Sequence, residues 1–381
     1  KQALISDIAT YVNASSGNSI DNLADAMIED NSMYIGNDPV STTSTAEYNV
    51  ALGTTTLDAI TTGDNNTASG YGALTDNTTG GQNTAMGRYA LWKNQTGNQN
   101  TAIGDYAMKQ FRADGGTYNT AVGRSSQRGP NSDSDYYSGS YNTSVGSGSL
   151  KVISTGSNNT AVGYYSQYGN TITGEKNSSL GSNSLKDLTS GDGNSVMGYE
   201  AAQNITTGNY NVAIGNKTLN ANNTGDDNVA VGNSALYSNT SNDNTAVGFN
   251  ALYNTNAANN VGIGWKAGNE ITSGTDNVVI GYNASVGTAT ANNQIVIGSG
   301  ATGLGANTAV IGPASTTTVY ASQDAGAYVY GAGMKIADES DLTIGNENLD
   351  AYLKIAASAT AGNEDIRIVN TNGTDEAAIT V

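Results

Sequence analysis

The stretch NQNTAIGDYAM, residues 98–108, decides the fold because closely similar stretches recur along the chain. The sequence GQNTAMGRYAL stands seventeen residues earlier, at residues 81–91, and NDNTAVGFNAL occupies residues 242–252. Their common core is Asn-(Thr/Val/Ser)-(Ala/Val)-(Val/Ile/Met)-Gly. Most of its glycines lie 17 residues apart, at Gly36, Gly53, Gly70, Gly87, Gly104, Gly123, Gly146, Gly163, Gly181, Gly198, Gly215, Gly232, Gly248, Gly264, Gly281, Gly298 and Gly312. A period of this length predicts a repeat architecture.

Each unit contains a short β-type segment, a turn at the glycine, a second short apolar stretch such as GYGAL, and a polar turn such as TTGDN. The apolar pieces are too short for helices, and no 3.6-residue periodicity runs through them. One unit cannot bury its apolar side chains alone, whereas stacked units can. We therefore predict an all-β fold, a parallel β-solenoid or β-roll of about 17-residue repeats that rises ~4.8 Å per coil.

Side chains alternate along a strand, so neighbouring positions of the motif face opposite ways. We expect the residue before the glycine, such as Ile103 or Val247, to point into the coil. The residue before that is almost always alanine, and we predict that it faces outward and contacts another copy of the chain. These candidate trimer contacts are Ala85, Ala102, Ala121, Ala161, Ala213, Ala230 and Ala246. The alternative is that alanine fills the crowded interior of a narrow coil.

An asparagine opens the motif in coil after coil, as at Asn83, Asn100 and Asn211. Stacked asparagine side chains can form a ladder of amide hydrogen bonds. They can instead bond their own backbone as turn residues. Both interpretations are structural, and neither predicts a catalytic site.

The composition excludes several kinds of chemistry. The 381 residues include no cysteine and no histidine, so disulfides, thiolate metal sites and histidine-dependent triads are impossible. The net charge of −18 predicts no binding to nucleic acid or anionic membranes. No apolar run is long enough for membrane insertion. We predict no cofactor and no metal, because turns such as GDNN and GDDN could offer oxygens to Ca²⁺ but are typical turn sequences.

Three segments depart from the repeat. Residues 1–31 include IDNLADAMIED, residues 20–30, whose spacing predicts an amphipathic helix that caps or attaches the first coil. Residues 313–381 alternate and predict a small β connector, and we expect the chain to be a fragment of a longer fibre. The longest interval, between Gly123 and Gly146, carries an insertion. Insertions in solenoids map to exposed loops. The candidate receptor contacts there are Asp133, Asp135, Tyr136 and Tyr137, although a tolerated surface insertion would look the same.

The repeats NTAIGDYAM, NTAVGYYSQ and NVAIGNKTL resemble the YadA-like head repeat of trimeric autotransporter adhesins, which also occurs in phage tail fibres. The resemblance covers residues 32–312. It implies a left-handed parallel β-roll in a homotrimer, with Ile and Val filling each roll and the small residue near the three-fold axis. The unit here is longer than the usual head repeat, and the sequence shows neither a coiled-coil stalk nor membrane-anchor strands. We therefore favour a virion fibre over a bacterial adhesin.

These observations predict a non-enzymatic, extracellular fibre, a homotrimer that contacts a host cell-surface glycan or protein through many weak contacts. Three alternatives remain open at this point. A bacterial trimeric autotransporter adhesin head would share the repeat. A polysaccharide depolymerase fibre would need a pair of carboxylates. An ice-binding solenoid would need threonines in register, and Val or Ser replaces several of them.

Overall fold

The computed structural model describes residues 26–29, 31–36, 39, 45–111, 116–130 and 137–316. The chain divides into two compact units, residues 1–319 and 320–381, and every described residue belongs to the first. The described residues contain eighteen short strands and no helix. The predicted all-β parallel solenoid is therefore confirmed, whereas the connector at residues 313–381 lies almost wholly outside the described residues.

The strands are three or four residues long. In chain order they are β1 (Ala26–Glu29), β2 (Ser32–Ile35), β3 (Val50–Leu52), β4 (Thr67–Ser69), β5 (Thr84–Met86), β6 (Thr101–Ile103), β7 (Thr120–Val122), β8 (Thr143–Val145), β9 (Thr160–Val162), β10 (Ser178–Leu180), β11 (Ser195–Met197), β12 (Val212–Ile214), β13 (Val229–Val231), β14 (Thr245–Val247), β15 (Val261–Ile263), β16 (Val278–Ile280), β17 (Ile295–Ile297) and β18 (Ala309–Ile311).

Strands β2 to β18 form one parallel sheet in sequence order, and each motif position pairs with the same position of the next coil. Ala85 in β5, for example, pairs with Ala102 in β6. The register continues across the 23-residue interval, where Ala121 in β7 pairs with Ser144 in β8. The extra residues of this interval therefore leave the sheet intact.

The predicted amphipathic helix is wrong for residues 26–29, which form strand β1. This strand pairs antiparallel with β2, and Met27 lies opposite Tyr34. The unpaired edge of β2 offers backbone hydrogen bonds that a helix could not satisfy, and this outweighs a weak helical pattern. The rest of the predicted helix lies outside the described residues.

The core reverses the predicted orientation of the strand side chains. The alanines of the motif point inward and are fully buried, whereas Ile103, Val247 and Ile263 are between 37% and 38% exposed. Alanine faces a second buried column, four residues after each glycine, which comprises Leu57, Leu74, Leu91, Met108, Leu150, Leu185, Leu219, Leu236 and Leu252. At Gly262, which replaces the alanine in β15, a methyl group would lie 2.6 Å from Leu252 Cγ. The interior therefore has room for one large side chain per coil, and the leucine occupies it.

In three coils the strand carries the larger inward side chain. The inward residue is valine at Val196, Val279 and Val296, and all three are buried. The matching positions of the leucine column are Ala202, Ser285 and Thr302, of which Thr302 is exposed. In the coils of Val196 and Val279 the larger and smaller side chains have exchanged columns, and total volume is what a close-packed core conserves.

The coils turn through backbone conformations that most residues avoid. The motif glycine Gly104 has φ of +137°, as predicted for a turn at this position. Tyr106 and Met108 also have positive φ, of 59° and 48°, and the same two positions repeat in most other coils. Each such residue costs on the order of 1 kcal/mol. Hydrogen bonds between coils offset this cost, since Tyr106 N donates to Arg88 O at 2.9 Å and Met108 N to Ser126 O at 3.0 Å.

Candidate functional site

The asparagine column forms a buried ladder, which decides between the two predicted interpretations. Each backbone N–H donates to the side-chain oxygen of the asparagine one coil earlier at 2.8–3.1 Å. The side-chain amide of Asn100 also donates to Gly116 O at 2.9 Å. These asparagines are fully buried, so the ladder stabilises the coils and offers no contact to a ligand.

The predicted receptor contacts are not brought together on the surface. Asp133, Asp135 and Tyr136 lie outside the described residues. Tyr137 is only 1% exposed, and its ring centroid lies 4.6 Å from that of Phe111. Its prediction as a receptor contact is wrong, because the insertion places this aromatic ring in the core. Burial raises the pKa of the Tyr137 hydroxyl well above its usual value.

The predicted trimer contacts are also wrong. Ala85, Ala102, Ala121, Ala161, Ala213, Ala230 and Ala246 are fully buried inside the coils, where no second chain can reach them. The pattern of small residues reflects the leucine column opposite and not a neighbouring molecule. Any contact between copies through this sheet must use its other side.

The outward side of the sheet carries an apolar column, which we call the apolar sheet face. It comprises the residues before the glycines, namely Leu52, Met86, Ile103, Val122, Val145, Val162, Leu180, Met197, Ile214, Val231, Val247, Ile263, Ile280 and Ile297. Their exposures reach 50% at Leu52 and 49% at Met197, and the least exposed are half-buried. Ser69 interrupts the column.

A second outward column changes character along the chain. From β4 to β11 it contains only threonine and serine, as at Thr101 and Thr160. From β12 to β17 it is apolar except at Thr245, with Val212, Val229, Val261, Val278 and Ile295. The apolar sheet face is therefore flanked by a second apolar column in its C-terminal part. Extended exposed apolar surfaces of this kind are typical of interaction sites.

Aromatic side chains follow several glycines beside this face. They include Tyr71, Tyr164, Tyr199, Phe249 and Tyr282, which are 43% to 58% exposed. Phe249, Trp265 and Tyr282 stack in successive coils, with ring centroids 6.3 Å and 4.7 Å apart. These rings extend the apolar surface around the edge of the sheet.

Within the described ranges, no three Asp or Glu side chains are grouped as a metal site would require. The same residues include no helix of the length and apolar character needed to cross a membrane. Asp276 accepts hydrogen bonds from Thr275 and Asn259, and these bonds lower the pKa of its exposed carboxyl.

No protein family matches this chain, and comparisons with curated proteins and with solved structures found no match either. The resemblance to YadA-like head repeats therefore stays a prediction that rests on the quoted motifs. The apolar sheet face consists of the residues that the sequence predicted to point into the coil. The alternation of side chains along each strand shows that these residues share one face, but it does not show whether that face points inward or outward.

Proposed function

We propose that this chain is a non-enzymatic structural fibre protein that forms a homotrimer and acts outside the cell in attachment to a host surface, as phage tail fibres do. The apolar sheet face carries this proposal. A monomer would leave a column of Ile, Val, Leu and Met side chains in water along more than a dozen coils. A second copy of the same face can cover them, because every coil presents the same position at the same height.

Three observations bear on different parts of the proposal. The apolar sheet face supports self-association. The number three comes from the resemblance to trimeric adhesin heads and tail fibres. Attachment follows from a repeated surface, on which many weak contacts add along the length of a fibre.

Light scattering on the purified chain tests the assembly. We expect about three times the monomer mass of 38.8 kDa. Ile214→Arg places a charge on the apolar sheet face and should lower the mass toward that of the monomer, because burying an unpaired charge is strongly unfavourable. The matched control is Thr207→Arg, an exposed position in the polar turn before the same strand.

Circular dichroism should show an unchanged fold for both variants, since both side chains are on the surface. A stable monomer of the unmodified chain would reject the assembly. If Ile214→Arg and Thr207→Arg both left a trimer intact, the contact would not lie on the apolar sheet face.

A further inference from the structure

Positive charge is concentrated in one part of this acidic chain. Residues 88–151 contain seven of the 15 Lys and Arg residues but only four of the 33 Asp and Glu residues. This segment therefore carries a formal charge of +3, whereas the whole chain carries −18. Of its carboxylates, only Asp105 lies among the described residues.

These cations lie beside a row of aromatic rings. The position two residues after the glycine is Tyr89, Tyr106 and, three coils beyond Tyr106, Tyr165. The ring centroids of Tyr89 and Tyr106 are 5.6 Å apart. In the two intervening coils the position is Ser125 and then Gly148, so the row of rings is interrupted.

The interruption forms a cleft of about 160 Å³, which we call the cationic notch. It is lined by Arg124, Ser125, Arg128, Ser147, Gly148, Lys151 and Tyr165. The flanking tyrosines, Tyr106 and Tyr165, lie three coils apart, which is roughly 14 Å at the strand spacing of a sheet. The notch thus combines three cations, two hydroxyl groups and an aromatic wall.

Among the described residues, the only ion pair of the notch cations is a long one between Arg124 and Asp105. Among the described residues Arg128 has no ion pair, and its Nε is buried without a hydrogen-bond partner. Its guanidinium lies 5.5 Å from the ring centroid of Tyr106. Lys151 donates to Tyr168 Oη at 2.6 Å, which leaves its charge in place. Arg124 lies 3.9 Å from Asp105, but its side chain is 73% exposed, so this pair is weak.

We propose that the cationic notch binds an acidic saccharide, with its carboxylate or sulfate group held by Arg128, Lys151 and Arg124. An arginine guanidinium fits such an oxyanion through paired N–H donors. Ser125 and Ser147 can exchange hydrogen bonds with sugar hydroxyls. The face of Tyr165 can pack against the apolar face of a sugar ring.

The surroundings favour a saccharide over a nucleic acid. A nucleic acid presents closely spaced phosphates to the whole surface, most of which is strongly negative here. A single acidic sugar needs only the local positive charge. The proposal deepens the proposed attachment function by naming the ligand class, and it rests on that function only for its biological role.

Calorimetric titration of the full chain tests the proposal. The probes are an oligogalacturonate, a sulfated oligosaccharide, an uncharged galactose oligosaccharide of equal length, sodium phosphate and oligothymidylate. We expect one or both acidic saccharides to bind and the uncharged one not to, with binding that weakens as salt is raised. The carboxylated and sulfated probes distinguish the two sources of negative charge.

Two variants locate the site. Arg128→Gln combined with Lys151→Gln should weaken binding about tenfold or more, because two charge-assisted hydrogen bonds are lost. Ser125→Tyr should abolish binding by restoring the row of rings, since Ser125 has φ of 57° and Tyr89 carries a tyrosine at the same φ. The matched control is Lys186→Gln, which occupies the same motif position as Lys151 two coils farther along.

The proposal is overturned if the uncharged saccharide binds equally well, if phosphate or oligothymidylate binds as tightly as the acidic saccharides, or if no probe binds. It is also overturned if the double variant and Ser125→Tyr bind like Lys186→Gln while circular dichroism shows them folded. The mass of each variant is measured in parallel by light scattering. An unmodified chain that is monomeric but binds the acidic saccharides would reject the assembly and leave this inference standing.

Discussion

Two glycines in most coils lie against the backbone of the next coil, and the spacing of the solenoid depends on them. At the motif glycine Gly104, a methyl group would lie 2.6 Å from Gly123 O. In the polar turn, a methyl group on Gly208 would lie 2.5 Å from Gly225 O. Contacts this short do not occur for real side chains. A single added carbon atom must therefore separate neighbouring coils.

We predict that Gly104→Ala lowers the stability by about 3 kcal/mol or more, because it combines this clash with a φ of +137°. The control is Gly300→Ala. Gly300 also has a positive φ, of 65°, but nothing lies within 4 Å of the added methyl group, so the cost should be about 1 kcal/mol. Thermal unfolding measures both. Equal losses of stability in the two variants would show that the close approach of neighbouring coils does not add to the cost.

Tyr137 gives a prediction that depends on pH. Its buried hydroxyl has no hydrogen-bond partner among the described residues, and burial raises its pKa above the ordinary 10.0. Above pH 10 the unfolded chain loses this proton while the folded chain keeps it, so stability falls as the pH rises. Tyr137→Phe removes this dependence and one unsatisfied hydroxyl. We expect the variant to be at least as stable at pH 7 and clearly more stable at pH 11 by denaturant titration.

At the scale of the element, each coil is joined to its neighbours by side chains as well as by the sheet. The asparagine ladder is one such connection. Two further polar clusters replace the apolar interior, at Gln127 and Gln167. Gln127 Nε2 donates to Thr120 O and Ser144 Oγ at 3.0 Å, and Gln167 makes the equivalent bonds. In both places a serine replaces the inward alanine of the next strand, so a polar residue in the leucine column is matched by a polar residue in the strand column.

We predict that Asn211→Ala destabilises the chain by about 3 kcal/mol. Asn211 accepts two hydrogen bonds from Asn228, at 3.1 and 3.0 Å, and donates to Gly225 O at 2.8 Å. Its loss leaves these buried groups unsatisfied, at ~1–3 kcal/mol each with partial relaxation. Asn216→Ala, at an exposed asparagine five residues later in the same coil, should change the stability by less than about 0.5 kcal/mol. Denaturant unfolding that ranks the two variants equally would contradict a stabilising ladder.

At the scale of the described solenoid, stability comes from contacts between neighbouring coils, and no single core unites distant parts of the sequence. Every strand from β3 to β17 pairs with the strands of the coils before and after it. Coils with the same register are therefore interchangeable in principle. The fold should tolerate the loss of a whole coil but not the loss of part of one, which would shift the motif positions of neighbouring coils out of register.

Deletion of residues 216–232 tests this. It removes one complete period and joins Gly215 to Asn233, which is again the residue after a motif glycine. We expect a folded chain with a small loss in Tm. Deletion of residues 216–223 removes half a period and should unfold the adjoining coils, because outward side chains would then face the interior. Circular dichroism and thermal unfolding compare the two, and similar damage from both deletions would argue against interchangeable coils.

The sequence by itself determined the period, the parallel all-β coils, the turns at the glycines and the asparagine column. These features follow from local chemistry, since only glycine adopts the φ near +130° at the motif turns and only short β segments fit between turns. The candidate contact residues could not be predicted in the same way. Tyr137 belongs to an insertion, and its burial depends on Phe111 from the preceding coil.

Only the tertiary structure decided which face of each strand is inside. Alternation specifies that Ala102 and Ile103 point opposite ways, but it does not say which way either points. The leucine column decides it, because a coil that already encloses Leu91 or Met108 leaves space for a methyl group and forces Ile103 outward. The strand column and the leucine column share one interior volume, and that volume is fixed only when the chain folds into a complete coil. The same closure brings Arg124, Arg128 and Lys151 from two coils into one notch.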